Sequence, residues 1–336
     1  MSAQPLLRVT GLRKFFPVRG GLLGRKVADV QAVDGVSFEV ARGETLGIVG
    51  ESGCGKSTTA RLLVRLVEPD AGEIIFDGLG LGDGLELAEL RRQVQMVFQD
   101  SYASLNPRLT AGESIAFGPR VHGMKPAQAR ARADDLLRRV GLDPALFAGR
   151  YPHELSGGQR QRVNIARALA LSPRLLILDE AVSALDKSVE AQVLNLLGDL
   201  KAELGLTYVF ISHDLDVVRF MSDRVMVMYL GKVVEIGDVE AIYADPRHPY
   251  TAALLSAMPS ADPDRRTEEA PLAGDPPNPI DPPPGCRFHT RCPFAEEPCR
   301  RAEPGLNPAG DRRQVACHVN DPSSGHSRAG RQGEAA

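Results

Sequence analysis

The sequence predicts an α/β fold built on a mostly parallel sheet with helices on both faces. Three observations predict it. Thr45–Val49, Leu175-Leu176-Ile177-Leu178 and Thr207–Ile211 are short, continuous apolar runs, the pattern of strands covered on both faces. Val189, Val193, Leu196, Leu197 and Leu200 recur at helical spacing, so a helix links the second run to the third. A glycine-rich turn follows the first run and opens a helix expected over residues 59–67. Alternation of strand and helix in this order implies parallel strands joined by crossover helices.

Length and composition set the frame for these elements. The 336 residues allow one large domain with an appendage, or two domains, and 43% hydrophobic content suffices for a sizeable core. A net charge of −3 supplies no basic field, which argues against a nucleic-acid surface. No apolar stretch approaches a bilayer-spanning length, and residues 1–5 carry no secretory apolar core. The expectation is a soluble, cytoplasmic chain that meets a membrane only through a partner. Residues 111–141 read as a largely helical insert, with Leu136, Leu137 and Val140 on one face. Fourteen of the 25 prolines lie from Pro259 onward, where neither long helices nor central strands can form. Residues 1–257 are therefore expected to be the globular domain, 258–320 an irregular extension with a cysteine-bearing core, and 321–336 a disordered tail.

The first chemistry lies in the turn Gly50-Glu51-Ser52-Gly53-Cys54-Gly55-Lys56-Ser57-Thr58. This is G-x-x-x-x-G-K-S between a strand and a helix, the context that gives the pattern meaning. Glycines let backbone N–H groups turn inward around phosphate oxygens, and the helix adds its positive N-terminal end. Lys56 places a cation on the β- and γ-phosphates, and the Ser57 hydroxyl is a Mg²⁺ ligand. Cys54 reads as a small tolerated residue. Alone, the turn says only that a nucleoside triphosphate is bound.

The second is the apolar run that ends in Asp179-Glu180. Ligands sit at the carboxyl ends of parallel strands. Asp179 is expected to hold Mg²⁺ and Glu180 to orient and polarise an attacking water. The next run ends in Ser212-His213-Asp214, which puts His213 on the same sheet edge, within reach of a γ-phosphate.

Between turn and acids stands Leu155-Ser156-Gly157-Gly158-Gln159, in which Ser156 can cap a helix over residues 159–170. These five residues, shortly before the acid pair, resemble the signature sequence of ATP-binding-cassette (ABC) proteins. The resemblance covers about residues 6–255. It implies the ABC ATPase version of the P-loop NTPase fold: a RecA-like parallel core with an antiparallel β subdomain and a helical subdomain. It also implies ATP and Mg²⁺ as cofactors and a head-to-tail dimer, in which the signature residues Ser156, Gly157, Gly158 and Gln159 meet the γ-phosphate held by the opposite subunit. Gln99 is similar to the glutamine that senses Mg²⁺ and the attacking water. His213 is similar to the switch histidine, Ser183-Ala184-Leu185-Asp186 to the loop that contacts the partner subunit, and Phe16 to the aromatic that stacks on adenine, with Phe15 a close competitor. An intact Glu180 and an intact signature imply a hydrolysing subunit. A DNA-repair ABC ATPase would need a long insertion that residues 68–153 are too short to hold.

Pro246-Arg247-His248-Pro249-Tyr250-Thr251 resembles the C-terminal hallmark of oligopeptide and dipeptide importer ATPases. So do the long segment between Phe16 and Ala32, including Gly20-Gly21-Leu22-Leu23, and Met228-Tyr229-Leu230-Gly231-Lys232; the details look most like the second, F-type ATPase of such an importer. The resemblance implies two membrane-spanning permeases, a paralogous ATPase as dimer partner, an extracytoplasmic binding protein, and a place on the cytoplasmic face of the inner membrane. Residues 100–118 would meet the permeases. The function implied is ATP hydrolysis that powers import of dipeptides or oligopeptides, with an importer for nickel or another small solute as the alternative.

Cys286, Cys292, Cys299 and Cys317 supply four thiols in a proline-rich span, interleaved with Arg287, Arg291, Arg300 and Arg301, which are expected to lower thiol pKa values. Four thiolates suit an iron–sulfur cluster or tetrahedral zinc. Importer ATPases with a similar tail imply a [4Fe–4S] cluster, with Zn²⁺, or plain thiols or disulfides, as the alternatives.

Overall fold

The continuous apolar runs are strands, and they are covered on both faces as their composition requires. In the computed structural model, residues 4–20, 25–82, 84–258, 274–275, 277–310 and 312–330 are described. Gly21, Leu22 and Leu23 of the long N-terminal segment, residues 259–273, 276 and 311 of the expected extension and residues 331–336 of the expected tail lie outside them. The chain forms two compact units, each assembled from several segments.

The first unit takes residues 1–7, 40–45 and 75–214. Its sheet holds the parallel strands Val94–Val97, Leu175–Asp179 and Thr207–Ile211 in that spatial order, with Val97 opposite Leu178 and Asp179 opposite Ile211. Every residue of the last two strands is buried. The helix Lys187–Leu204 connects them and buries Val193, Leu197 and Leu200, with Gly205 closing it in the left-handed conformation. The expected helical insert is two helices, Ala111–Val121 and Pro126–Arg139, which pack on each other and on Gly157–Leu169. Thr110 and Glu113 form a capping box at the first of them.

The second unit takes residues 8–39, 46–74 and 215–336. The strand Thr45–Val49 pairs in parallel with Arg224–Tyr229, Val49 opposite Val227. Arg224–Tyr229 turns back through Leu230 and Gly231, both at positive φ, into the antiparallel strand Lys232–Asp238. A separate sheet brings Arg25–Val40, Leu7–Gly20 and Ala71–Phe76 side by side. The helix after the glycine-rich turn is shorter than expected, Lys56–Leu63, because Arg65 adopts φ 54° and leads the chain away before Pro69.

The proline-rich region is more ordered than its composition suggests. Gln314–Val315 adds to the sheet beside Lys232–Asp238, Val315 opposite Glu235, and Asn307–Pro308 adds outside it. Pro308 thus sits on the outermost strand, where a missing N–H costs least. Arg313 anchors this addition: its buried guanidinium donates to the fully buried Glu235, whose carboxylate also accepts the amides of Arg247 and His248 at 3.0 and 3.1 Å. Residues 321–330, which composition assigns to a disordered tail, carry the buried His326, whose Nε2 lies 2.8 Å from the Phe294 carbonyl oxygen.

Candidate functional site

Two glycines shape the turn at residues 50–58. Gly50 has φ 148° and Gly55 φ 106°, and a Cβ on either would lie 2.2 Å from a backbone oxygen, that of Met228 or of Ala32. No side chain fits, so the chain can double back there only with glycine. The helix Lys56–Leu63 begins from Gly55 with no side chain capping its N-terminus. Ser52 and Gly53 are exposed on the rim, Cys54 and Lys56 are buried, and Ser57 and Thr58 are half-buried. The Lys56 ammonium curls inside the turn, donating to the carbonyl oxygens of Gly50 at 2.7 Å and Glu51 at 3.1 Å, and lies 3.9 Å from Cys54 Sγ. These partners are all neutral. A buried ammonium held by neutral atoms, at a helix N-terminus free of side-chain caps, is a donor set matched to an anion, and the residues fit the phosphates of a nucleotide. Burial pushes the Cys54 thiol up from its ordinary pKa, so it is an unreactive packing group.

Residue 51 is held from two sides. Its amide donates to Tyr250 Oη at 2.8 Å, and its carboxylate receives both arms of the Arg291 guanidinium at 2.8 and 3.0 Å. Tyr250 is fully buried against Tyr229 and Phe288, with ring centroids 4.6 and 5.5 Å away. The Cys54 carbonyl accepts the Gly231 amide at 2.9 Å.

Asp179 ends its strand buried, and Glu180 follows at φ 49°, a left-handed conformation that costs a non-glycine residue energy and is retained where function needs it. The Glu180 amide donates to the Ile211 carbonyl at 2.9 Å and its own carbonyl accepts the Ser183 hydroxyl at 3.0 Å. One carboxylate oxygen, Oε2, accepts Gln99 Nε2 at 2.9 Å and lies 3.4 Å from His213 Nδ1. Gln99, Glu180 and His213, far apart in sequence, thus meet at a single atom. Lys187 bonds Asp214 at 2.7 Å and Glu190 at 3.0 Å, which fixes the residue after the histidine.

Ser156 caps the helix Gly157–Leu169 in a reciprocal box with Gln159, its hydroxyl accepting at 3.3 Å and its amide donating at 2.9 Å. Gly158 lies where a Cβ would stand 2.4 Å from Val189 Cγ1, while Gly157 has Leu185 as its neighbour. Asp186 stands at the N-cap of Lys187–Leu204 without a side-chain capping bond. Phe16 is 37% exposed with the Lys14 ammonium 5.6 Å from its ring centre, whereas Phe15 lines an open hollow with Pro17, Arg19 and Asp70.

The cysteine expectation is corrected. Cys286, Cys292, Cys299 and Cys317 line one small enclosed cavity as free thiols. Yet among the described residues no group of three or more His, Cys, Asp or Glu side chains is arranged to hold a metal ion. That removes the support for the [4Fe–4S] cluster and for its zinc alternative. The physical reason lies in the arginines. Arg287 turns to Asp34 at 2.6 Å and Arg291 to Glu51, so their charge is spent on carboxylates. Burial then governs the thiols, pushing Cys286 up to about 12 and Cys292 up to about 11, and raising Cys317 as well. Thiols held protonated are poor ligands.

Tyr250 and Arg291 are the site residues whose contacts sequence reasoning missed. Tyr250 was visible only as part of a hallmark, and Arg291 only as a neighbour of Cys292; neither lies near residue 51 in the chain.

Comparison with known proteins agrees with this geometry. Residues 33–183 match the family described as ABC transporter, and residues 234–299 match the oligopeptide/dipeptide transporter, C-terminal region. The chain is 54% identical over 325 residues to the Sinorhizobium fredii protein y4tS, named "Probable peptide ABC transporter ATP-binding protein", covering 95% of this chain and 91% of that one. It is 51% identical over 324 residues to the oligopeptide transport ATP-binding protein AppF of Bacillus subtilis, covering 95% and 98%. It is 50% identical over 321 residues to the dipeptide transport ATP-binding protein DppF of Haemophilus influenzae, covering 94% and 97%. Among solved structures, cbiO1 of Clostridium perfringens, part of an ABC transporter complex, matches with a TM-score of 0.61 at 30% identity, covering 72% of this chain and 92% of that one. On these matches the chain belongs to the family of ATP-binding subunits of oligopeptide/dipeptide ABC transporters, ATPases coupled to transport.

Proposed function

We propose that this chain hydrolyses ATP to drive import of peptides through two membrane permeases, with Glu180 as the residue on which hydrolysis depends. The observation that carries the hydrolytic role is the Glu180 carboxylate, one oxygen of which meets both Gln99 and His213. In this reading Lys56 and the amides of residues 50–58 bind the β- and γ-phosphates, and Ser57, Asp179 and Gln99 hold Mg²⁺, which neutralises charge on the phosphate oxygens. Glu180 orients the attacking water and polarises it, and His213 follows the γ-phosphate. Phe16 stacks on adenine. Ser156, Gly157, Gly158 and Gln159 complete the site of an opposing subunit, and Asp186 lies in the loop that meets it. Residues 1–257 form the nucleotide-binding domain, residues 258–320 the importer-type extension, and residues 321–336 the tail.

The partner subunit is a paralogous ATPase, and an extracytoplasmic binding protein delivers cargo to the permeases. The chain lies on the cytoplasmic face of the inner membrane. No nucleic acid takes part. Peptide cargo is supported by the relatives' names and by the match of residues 234–299. The test is uptake by the reconstituted transporter with labelled dipeptide, labelled oligopeptide and labelled nickel offered in turn. ATP-dependent uptake of a peptide, lost with Lys56→Ala, is expected; uptake of nickel with no peptide uptake would overturn the cargo assignment.

A further inference from the structure

Glu51 is an unexpected residue for the turn that holds it. It places a carboxylate one position past Gly50, inside the segment read here as the phosphate site, where a second anion would repel the ligand. The structure answers that charge. Arg291 reaches it from the C-terminal extension and binds both carboxylate oxygens, at 2.8 and 3.0 Å, with the guanidinium 5% exposed and Glu51 24% exposed. The same guanidinium lies 3.4 Å from Tyr229 Oη and 5.9 Å from the centre of that ring. Its own backbone is fixed as well: the Arg291 amide donates to the Phe288 carbonyl at 3.0 Å, and Phe288 is buried edge-on against Tyr229, 5.3 Å between centroids. From the other side, Tyr250 Oη accepts the Glu51 amide. Residue 51 is therefore held by backbone and side chain, by two residues that lie 199 and 240 positions away.

A forked pair between arginine and a carboxylate fixes direction as well as charge. With the fork made, the carboxylate is neutralised and turned away, and the turn keeps its anion-accepting form. Without it, an uncompensated anion stands beside the triphosphate.

We propose that Arg291 is a positioning residue for nucleotide binding: by neutralising and orienting the Glu51 carboxylate, it makes the C-terminal extension a determinant of ATP affinity. The proposal rests on the reading of residues 50–58 as the phosphate site.

The test uses the full-length chain, a fluorescent ATP analogue for binding, steady-state ATP hydrolysis, and thermal unfolding without nucleotide. Arg291→Ala is expected to weaken binding about tenfold, the equivalent of one charge-assisted hydrogen bond, and to raise KM for ATP more than it lowers kcat. Adding Glu51→Gln to Arg291→Ala is expected to restore most of that affinity, because the uncompensated charge is gone; a merely structural arginine would not be rescued this way. Arg291→Lys keeps a cation without the fork and is expected to lose about threefold. Wild-type affinity in both Arg291→Ala and Arg291→Lys, or a double variant no tighter than Arg291→Ala, would overturn the proposal. A wild-type chain that does not bind the analogue, or Lys56→Ala that binds it unchanged, would instead sink the phosphate-site reading itself.

Discussion

Single buried polar residues account for much of what is specific to this chain. Glu235 is fully buried, and it is tolerable there because Arg313 and two backbone amides satisfy it. Removing either partner of such a pair leaves a buried charge, which costs about 3–5 kcal/mol. His248 is buried too, and burial pushes its pKa down to about 3, so the imidazole is neutral in the fold. Its Nδ1 accepts the Tyr250 amide at 3.0 Å and caps the helix Pro249–Ser256. The sign of the pH effect follows. In the unfolded chain the ring takes a proton near its ordinary value of about 6.5, while the folded ring refuses it until about 3. Stability is therefore unaffected above about 6.5 and is lost as pH falls from there toward 3, by up to ~1.4 kcal/mol per pH unit. Thermal midpoints measured at pH 7 and pH 5 should fall more for the wild type than for His248→Asn, which keeps a capping acceptor but does not titrate. Equal falls would show that His248 is not the group responsible. The sequence marked His248 only as one letter of a family hallmark. This histidine is enclosed by Phe288, 5.7 Å between ring centres, and by Glu235, which accepts its amide, and no local pattern encodes either neighbour.

At the scale of elements, legibility tracked how local the cause is. The strands Thr45–Val49, Leu175–Asp179 and Thr207–Ile211 were readable because burial on both faces demands unbroken apolar runs. The helix Gly157–Leu169 was readable from its cap Ser156, although it begins two residues before the expected Gln159, whose side chain instead returns to the Ser156 amide. The end of the first helix was not, since Arg65 takes a left-handed conformation that its type does not announce. Nor were the strands Asn307–Pro308 and Gln314–Val315, each two residues long and defined by the neighbour they pair with rather than by their own composition. Glu180 and His213 were legible on one sheet edge from the runs that end in them, and Gln99 was singled out by family resemblance; their contact at one oxygen atom was not legible. The strand, turn and helix around residue 50 form one device, and the carbonyl of Met228, on the neighbouring strand, sets its tolerance. Gly50→Ala would bring a Cβ within 2.2 Å of that oxygen at φ 148°. ATP-analogue titration should show a loss of binding greater than about tenfold for this variant, because the turn must open to admit the side chain. Undiminished binding would mean that the turn is not shaped by that contact.

On the scale of the whole molecule, the chain is one subunit of a transport machine. Among the described residues no helix is long and apolar enough to cross a membrane. As an ATP-binding subunit of a transporter, the chain works with membrane permeases. Its contribution is conformational work. In the function proposed above, binding and hydrolysis at residues supplied by two ATPase subunits would close and reopen the pair, and the permeases would follow. Transport and hydrolysis should consequently fail together when the water-orienting carboxylate is lost, even though the phosphate-binding residues are intact. The most direct measurement is steady-state ATP hydrolysis and peptide uptake by the reconstituted transporter carrying Glu180→Gln in this chain, with ATP binding measured alongside. The account predicts retained ATP binding, turnover at this chain's own site lower by about two orders of magnitude or more, and a matching loss of uptake. Hydrolysis and uptake at wild-type rates in that variant would contradict it.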